Sequence, residues 1–162
     1  MRKHAVLFAT AFIFAAIVGS ARAHEHHPPH KGTLVEFGNE FAHLELVIDQ
    51  ASGKITGYVL DGEAEKAVRI AQKEIMINVM KAEKPGTGPA EAFSVTLAAQ
   101  ESALSGEKVG DTSEFAAQSD KLKNLPNFDG VVVDVNVKGK PFTNTKFNFP
   151  KGNEEPGEPA KK

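Results

Sequence analysis

The sequence predicts an all-β fold: an antiparallel β-sandwich, immunoglobulin-like or related, of about seven or eight short strands, with a small β-barrel as the alternative. Three observations carry this. Apolar and polar residues alternate at period two in several runs, Gly- and Asn-containing turns separate those runs, and almost no stretch has helical periodicity. A length of 162 residues suits one domain. No repeat at a fixed period points to a propeller or solenoid.

The first 23 residues are read as a signal peptide. Met1 to His4 is a basic start, Ala5 to Gly19 an apolar run, and Ala21-Arg22-Ala23 places small residues where a signal peptidase reads. The run is shorter than the ~20 residues that span a bilayer. Cleavage after Ala23 is therefore expected, giving a periplasmic or secreted, mildly acidic chain that begins at His24 and keeps no stable membrane span.

Residues 24–32 form a His-rich arm whose Pro28-Pro29 forbids helix and whose composition offers nothing to bury, so a mobile segment is expected. The domain proper is expected over 33–150. Its first hairpin joins Thr33–Phe37 to Glu40–Ile48 across Gly38-Asn39, which sets Val35 opposite Ala42 and Leu34 opposite His43. Its second has Asp49–Lys54 as loop and Ile55–Leu60 as return strand, setting Ile48 opposite Ile55, Leu46 opposite Gly57 and Leu44 opposite Val59 inside. Glu45 by Tyr58 then lies outside, and His43 shares that outer face.

Ile75, Ile77 and Val79, then Phe93, Val95 and Leu97, mark two half-buried strands with Pro85-Gly86-Thr87-Gly88-Pro89 as a loop between them. From Gly106 to Asn127 a long connection is expected, broken at most by a helical turn that Ser119-Asp120 begins and Pro126 stops. The last hairpin turns at Lys138-Gly139-Lys140, with Val131, Val133, Val135 and Val137 facing Thr145, Phe147 and Phe149. Beyond Pro150, residues 151–162 are Gly, Pro, Glu, Lys, Asn and Ala, a composition that predicts disorder.

Composition removes several functions. Lys and Arg number 19 against 21 Asp and Glu, without the basic excess a nucleic-acid binder needs. The absence of cysteine removes thiolate catalysis, disulfides and cysteine metal sites. No phosphate loop, Gly-x-Ser-x-Gly, His-Glu-x-x-His or calcium-loop pattern occurs, and one histidine inside the domain gives a nucleophilic triad no base to choose from. The chain is read as a binding protein and not an enzyme.

What remains is histidine. Four of the six fall between His24 and His30. After cleavage at Ala23 the start His24-Glu25-His26 can wrap Cu(II) or Ni(II) in a plane of four nitrogens: the terminal amine, the amides of Glu25 and His26, and the His26 imidazole. His27 and His30 extend the set toward Zn(II) or Cu(II). His43 and Glu45 lie two residues apart on one strand face, ~7 Å along the chain, and His30 can swing toward both. Candidate metal ligands are thus His24, His26, His27, His30, His43 and Glu45. Met76 and Met80, facing alike, are a weaker Cu(I) candidate.

His30-Lys31-Gly32-Thr33-Leu34-Val35, Gly38, His43-Leu44-Glu45-Leu46-Val47, Tyr58-Val59-Leu60-Asp61 and the late Gly139-Lys140 together resemble an uncharacterised family of small exported bacterial proteins. Its members carry a His-rich leader, a His-Gly-Gly start and a His-x-Glu-Leu-Val strand; Lys31 stands here for the first Gly of that pair. Related openings accompany heavy-metal efflux proteins, so the resemblance implies a metal context and an efflux or other envelope protein as partner. Two functions follow as expectations. One is a periplasmic module that binds or buffers Cu, Ni or Zn through the leader. The other is a non-catalytic envelope interaction module, docking through an outer apolar patch of Leu34, Phe41, Val47 and Leu60.

Overall fold

Alternating side chains along the strand segments bury one face of each, and the computed structural model, which describes residues 27–86 and 88–153, joins those faces around one core. The expected signal segment 1–23, His24, His26 and the tail after Asn153 lie outside the described residues. The strands are β1 (Thr33–Phe37), β2 (Ala42–Asp49), β3 (Lys54–Leu60), β4 (Glu74–Lys84), β5 (Gly88–Ala90), β6 (Phe93–Ala99), β7 (Glu114–Gln118), β8 (Asn127–Val137) and β9 (Lys140–Phe149). All pair antiparallel in one sheet of order β1-β2-β3-β7-β6-β4-β8-β9, with β5 on β4. The all-β antiparallel expectation holds, and the single sheet curls into a nearly closed barrel, the second of the two forms considered.

The ends of the sheet meet where β1 approaches the chain leaving β9. Thr33 Oγ1 donates to the Pro150 carbonyl at 3.1 Å, and the Asn153 side chain imitates a strand by accepting from Glu36 N (2.7 Å) and donating to Glu36 O (3.1 Å). Asn148 and Gly152 also bond backbone to backbone in both directions. Order therefore extends past Pro150 through Asn153, where the composition had suggested a disordered tail. Inside lie Phe37, Leu44, Leu46, Ile55, Ile75, Ile77, Leu97, Phe115 and Phe128, each at most 1% exposed. No helix among the described residues is long and apolar enough to cross a membrane.

The second hairpin has the expected register throughout, Ile48 opposite Ile55 and Glu45 opposite Tyr58. The first is displaced by two: Val35 pairs with Leu44 and Phe37 with Ala42. Gly38 (φ +66°) and Glu40 (φ +52°) bend a four-residue loop in which Phe41 N reaches Phe37 O, so Gly38-Asn39 is not a two-residue turn. An even shift leaves every side chain on its expected face.

The later strands depart further. β4 runs on to Lys84 and takes β5 as a short partner, so Gly88 and Pro89 pair where only a loop was expected; Pro89 is tolerated because β5 has β4 as its one neighbour. A bulge between Val79 and Lys81 leaves Met80 unpaired and exposed. β7 lies within the stretch expected to be a long connection, followed there by the expected helical turn Asp120–Leu122, whose Ser119 cap accepts from Lys121 N. The last hairpin turns on Lys138 (φ +52°) and Gly139 (φ +80°) alone, with Lys140 already paired to Val137. Val132, Val135 and Val137 are buried while Val131 and Val133 are not. The face changes beside Asn144 (φ +53°), where the pairing of Val133 with Asn144 lapses.

The connection from Gln100 to Ser113 is held by charge. Glu107 accepts from the Ser113 amide at 2.9 Å, from the Ser113 hydroxyl and from the Ser105 hydroxyl, while Arg69 reaches Asp111 at 3.3 Å and the Ser105 carbonyl. The Ser113 hydroxyl, against the opposing pull of burial and with help from Ser105, the Ser113 amide and Arg69, holds the Glu107 carboxyl below its ordinary value of 4.5. A depressed folded-state value means this carboxylate stabilises the fold in full above the ordinary value and progressively less as pH falls through the folded one. Ser113→Ala is therefore expected to destabilise the chain at neutral pH by an amount that shrinks under acid. Urea unfolding of both chains along a pH series checks this; a difference that grows as pH falls refutes it.

Candidate functional site

The alternation of β2 sends Ala42, Leu44 and Leu46 to the core and His43 and Glu45 to the opposite face. That face is not solvated as expected: both side chains are fully buried. Leu34, Leu60 and Ala64, with Tyr58 against them, make a second small apolar cluster on it. Two segments roof it, the turn after β3 and the strap that leads into β1. Leu34 and Leu60 are thus covered from within, and the outer docking patch expected from them does not exist as an open surface.

The turn after β3 is tied by Asp61, whose Oδ1 accepts from the amides of Glu65 (3.0 Å) and Lys66 (3.1 Å). Burial pushes the Asp61 carboxyl up, but those two amides, with the charges of Lys66 and Lys138, outweigh it and hold the group below its ordinary value. The Asp61 carbonyl accepts from His43 Nδ1 at 3.0 Å, so the histidine of β2 is engaged in fastening this turn.

The strap is fastened by Glu45. Pro28 to Lys31 forms a turn in which Lys31 N donates to Pro28 O at 3.1 Å, and Lys31 at φ +58° redirects the chain onto the sheet. Glu45 Oε1 accepts from the amides of His30 (2.9 Å) and Gly32 (2.8 Å), and Oε2 lies 2.8 Å from His30 Nδ1. The His30 ring stacks on Tyr58, centroids 3.7 Å apart and planes 12° from parallel. Leu34, Glu45, Tyr58 and Glu114 are neighbours in one row across β1, β2, β3 and β7. Burial, then Glu114 and Glu45, push the Tyr58 phenol up and keep it protonated. Gly32 is demanded by this packing: a Cβ there would stand 2.7 Å from Glu45 Cγ and from the Leu46 carbonyl.

The expected ligands therefore separate. His30 and Glu45 come together, and the arm that carries His30 is pinned from His30 to Gly32 where mobility was expected. His43 shares their face of β2 but bonds the neighbouring turn. Among the described residues no group of three or more His, Cys, Asp or Glu is arranged to hold a metal, so the His30, His43, Glu45 cage is not assembled. His27 is exposed, three positions before the strap's first clip at His30 and five before its last at Gly32. Met76 and Met80 are both exposed on β4, ~13 Å apart along the strand.

Sequence reasoning missed Tyr58 as part of the site. The expected pairing of Glu45 with Tyr58 held the signal, since any ring sitting over Glu45 must meet its cross-strand neighbour. Surface hollows of about 450 to 530 Å³ do not coincide with this chemistry: two share Met80, Lys81 and Asp129 beside β4 and β8, and a third lies by Lys84 and Pro126. Compared with protein-family models, with curated proteins and with solved structures, the chain finds no match.

Proposed function

We propose that the chain binds and buffers divalent transition ions, Cu(II), Ni(II) or Zn(II), outside the cytoplasm, through the histidines His24, His26, His27 and His30 that precede the barrel. The barrel is a scaffold in this reading and performs no catalysis. The observation that supports it best is the fastening of His30 to the buried Glu45 carboxylate and the Tyr58 ring. It sets a half-exposed imidazole at the root of the His-rich segment, so ligands of that segment meet a histidine already held in place. The donor set fits these ions, since imidazole suits all three. The resemblance to openings found beside heavy-metal efflux proteins adds the setting: delivery to, or relief of, such a system in the envelope.

With cleavage after Ala23, His24-Glu25-His26 supplies a second, terminal mode that prefers Cu(II) and Ni(II). Mass spectrometry of the exported chain fixes its first residue. Titration with Cu(II), read by visible absorbance, is expected to show stoichiometric uptake that a chain lacking residues 24–30 loses. One extra residue ahead of His24 is expected to abolish the square-planar band while sparing imidazole binding. Indifference of the intact exported chain to all three ions refutes the reading.

A further inference from the structure

We propose that Glu45 is a positioning residue: it locks His30 in the tautomer protonated at Nδ1, which presents the Nε2 lone pair to a divalent transition ion. This rests on the metal reading above. Oε1 of Glu45 is taken by two backbone N–H groups, at 2.9 Å and 2.8 Å, which leaves Oε2 for the ring at 2.8 Å. An ionised carboxylate only accepts, so Nδ1 must donate. A neutral imidazole has one N–H and one lone pair, and the lone pair then belongs to Nε2.

Geometry fixes the ring as firmly as the proton. The backbone amide and the ring Nδ1 of the same residue bind the same carboxylate, so the His30 backbone and the near side of its ring are tied to one point. The Tyr58 stack sets the ring plane. The side chain nevertheless keeps 42% of its exposure, against none for Glu45. An ion captured at Nε2 thus meets a ligand that has already given up its rotamer and tautomer freedom. Glu45 itself is sealed and occupied by three donors, which makes it the ligand's orienting partner and not the direct ligand the sequence suggested.

Glu45→Gln tests this with little change of shape. The glutamine carbonyl keeps the two backbone donors, and its NH₂ group faces Nδ1. Nδ1 must then accept, the proton moves to Nε2, and the strap stays clipped while the ligand face is blocked. Long-range ¹H–¹⁵N spectra of the exported chain at about pH 8, above the ~6.5 of a free model imidazole, are expected to show His30 protonated at Nδ1 in the wild type and at Nε2 in Glu45→Gln. The Gly32 amide should remain slow to exchange in both. Added Zn(II) should shift the wild-type His30 Nε2 resonance with an affinity about 10–100-fold above that of the variant. A wild-type Nδ1 without its proton overturns the proposal with no variant needed, so a variant that fails to fold does not shield it. Equal Zn(II) affinity at His30 in both chains overturns it while leaving the metal reading intact. Absence of Zn(II) uptake by every histidine of the wild type overturns the metal reading and the ligand role of Nε2 together, even if the spectra show the expected tautomer.

Discussion

Replacing Phe115 by alanine is expected to cost about 3–5 kcal/mol of folding stability, the range for deleting a fully buried aromatic ring. Phe115 is 0% exposed, and β7 is the strand through which β1-β2-β3 continues into β6-β4-β8-β9. On the β6 side that continuity rests on a short register, Ala98 with Ala116 and Ala99 with Phe115, so the backbone ladder there has little to spare if the ring above it goes. Domains of this kind are stable by only about 5–15 kcal/mol. The loss is therefore a large share of the total. Urea unfolding measures it, and hydrogen exchange locates it: protection should fall first in β3, β6 and β7, and later in the β8–β9 hairpin, whose register is long. A loss below about 0.5 kcal/mol, the ordinary result of a surface change, would mean that the Phe115 ring contributes little to joining the two parts of the sheet.

That strand is also where the sequence was least legible, and for a related reason. Glu114-Phe115-Ala116-Ala117-Gln118 carries one bulky apolar residue followed by two alanines, too little for a period-two pattern, and its strand character comes from the neighbours on either side. The β2–β3 hairpin was fully legible because a polar, Gly-containing loop sits between two long alternating runs that allow a single in-phase pairing. The β1–β2 turn was misjudged in length because Phe41, an apolar residue, was read as strand when it belongs to the loop. In the last hairpin, alternation of valines continued in the sequence past the point where the backbone at Asn144 changes which face is inside. The site shows the same limit. Alternation put His43 and Glu45 on one face, and that is where they are; that the face is roofed by the strap and the Asp61 turn depends on contacts between segments far apart in the chain. The closeness of His30 to Glu45 was foreseen from the hairpin, although through a register displaced by two. The role of Tyr58 beneath the ring needed the third strand.

Removing the Glu45 carboxylate altogether is the other large expected effect, and it separates the strap from the scaffold. Glu45→Ala leaves the amides of His30 and Gly32 and the His30 Nδ1–H without their acceptor. Hydrogen bonds to a charged acceptor contribute about 1.5–3 kcal/mol each, and water entering beside the half-exposed His30 recovers part of three of them, so a net loss of about 2–4 kcal/mol is expected. Its location matters more than its size. The main core lies on the other face of β2, so the barrel should survive with its β-sheet circular dichroism intact. The strap should instead detach, exposing Leu34 and Leu60 and freeing Tyr58 from the His30 ring. Tyr58 is the chain's one tyrosine and there is no tryptophan, so intrinsic fluorescence reports this contact alone. Release of a stacked imidazole should change that emission in Glu45→Ala and change it less in Glu45→Gln, whose carbonyl still holds the two amides. Should the two variants match in emission and in stability, the amide clip contributes nothing and the strap is held by the stack on Tyr58. In that event His30→Ala alone would loosen residues 28–32 as much as Glu45→Ala does, which the same fluorescence cannot read without its ring but exchange of the Gly32 amide can.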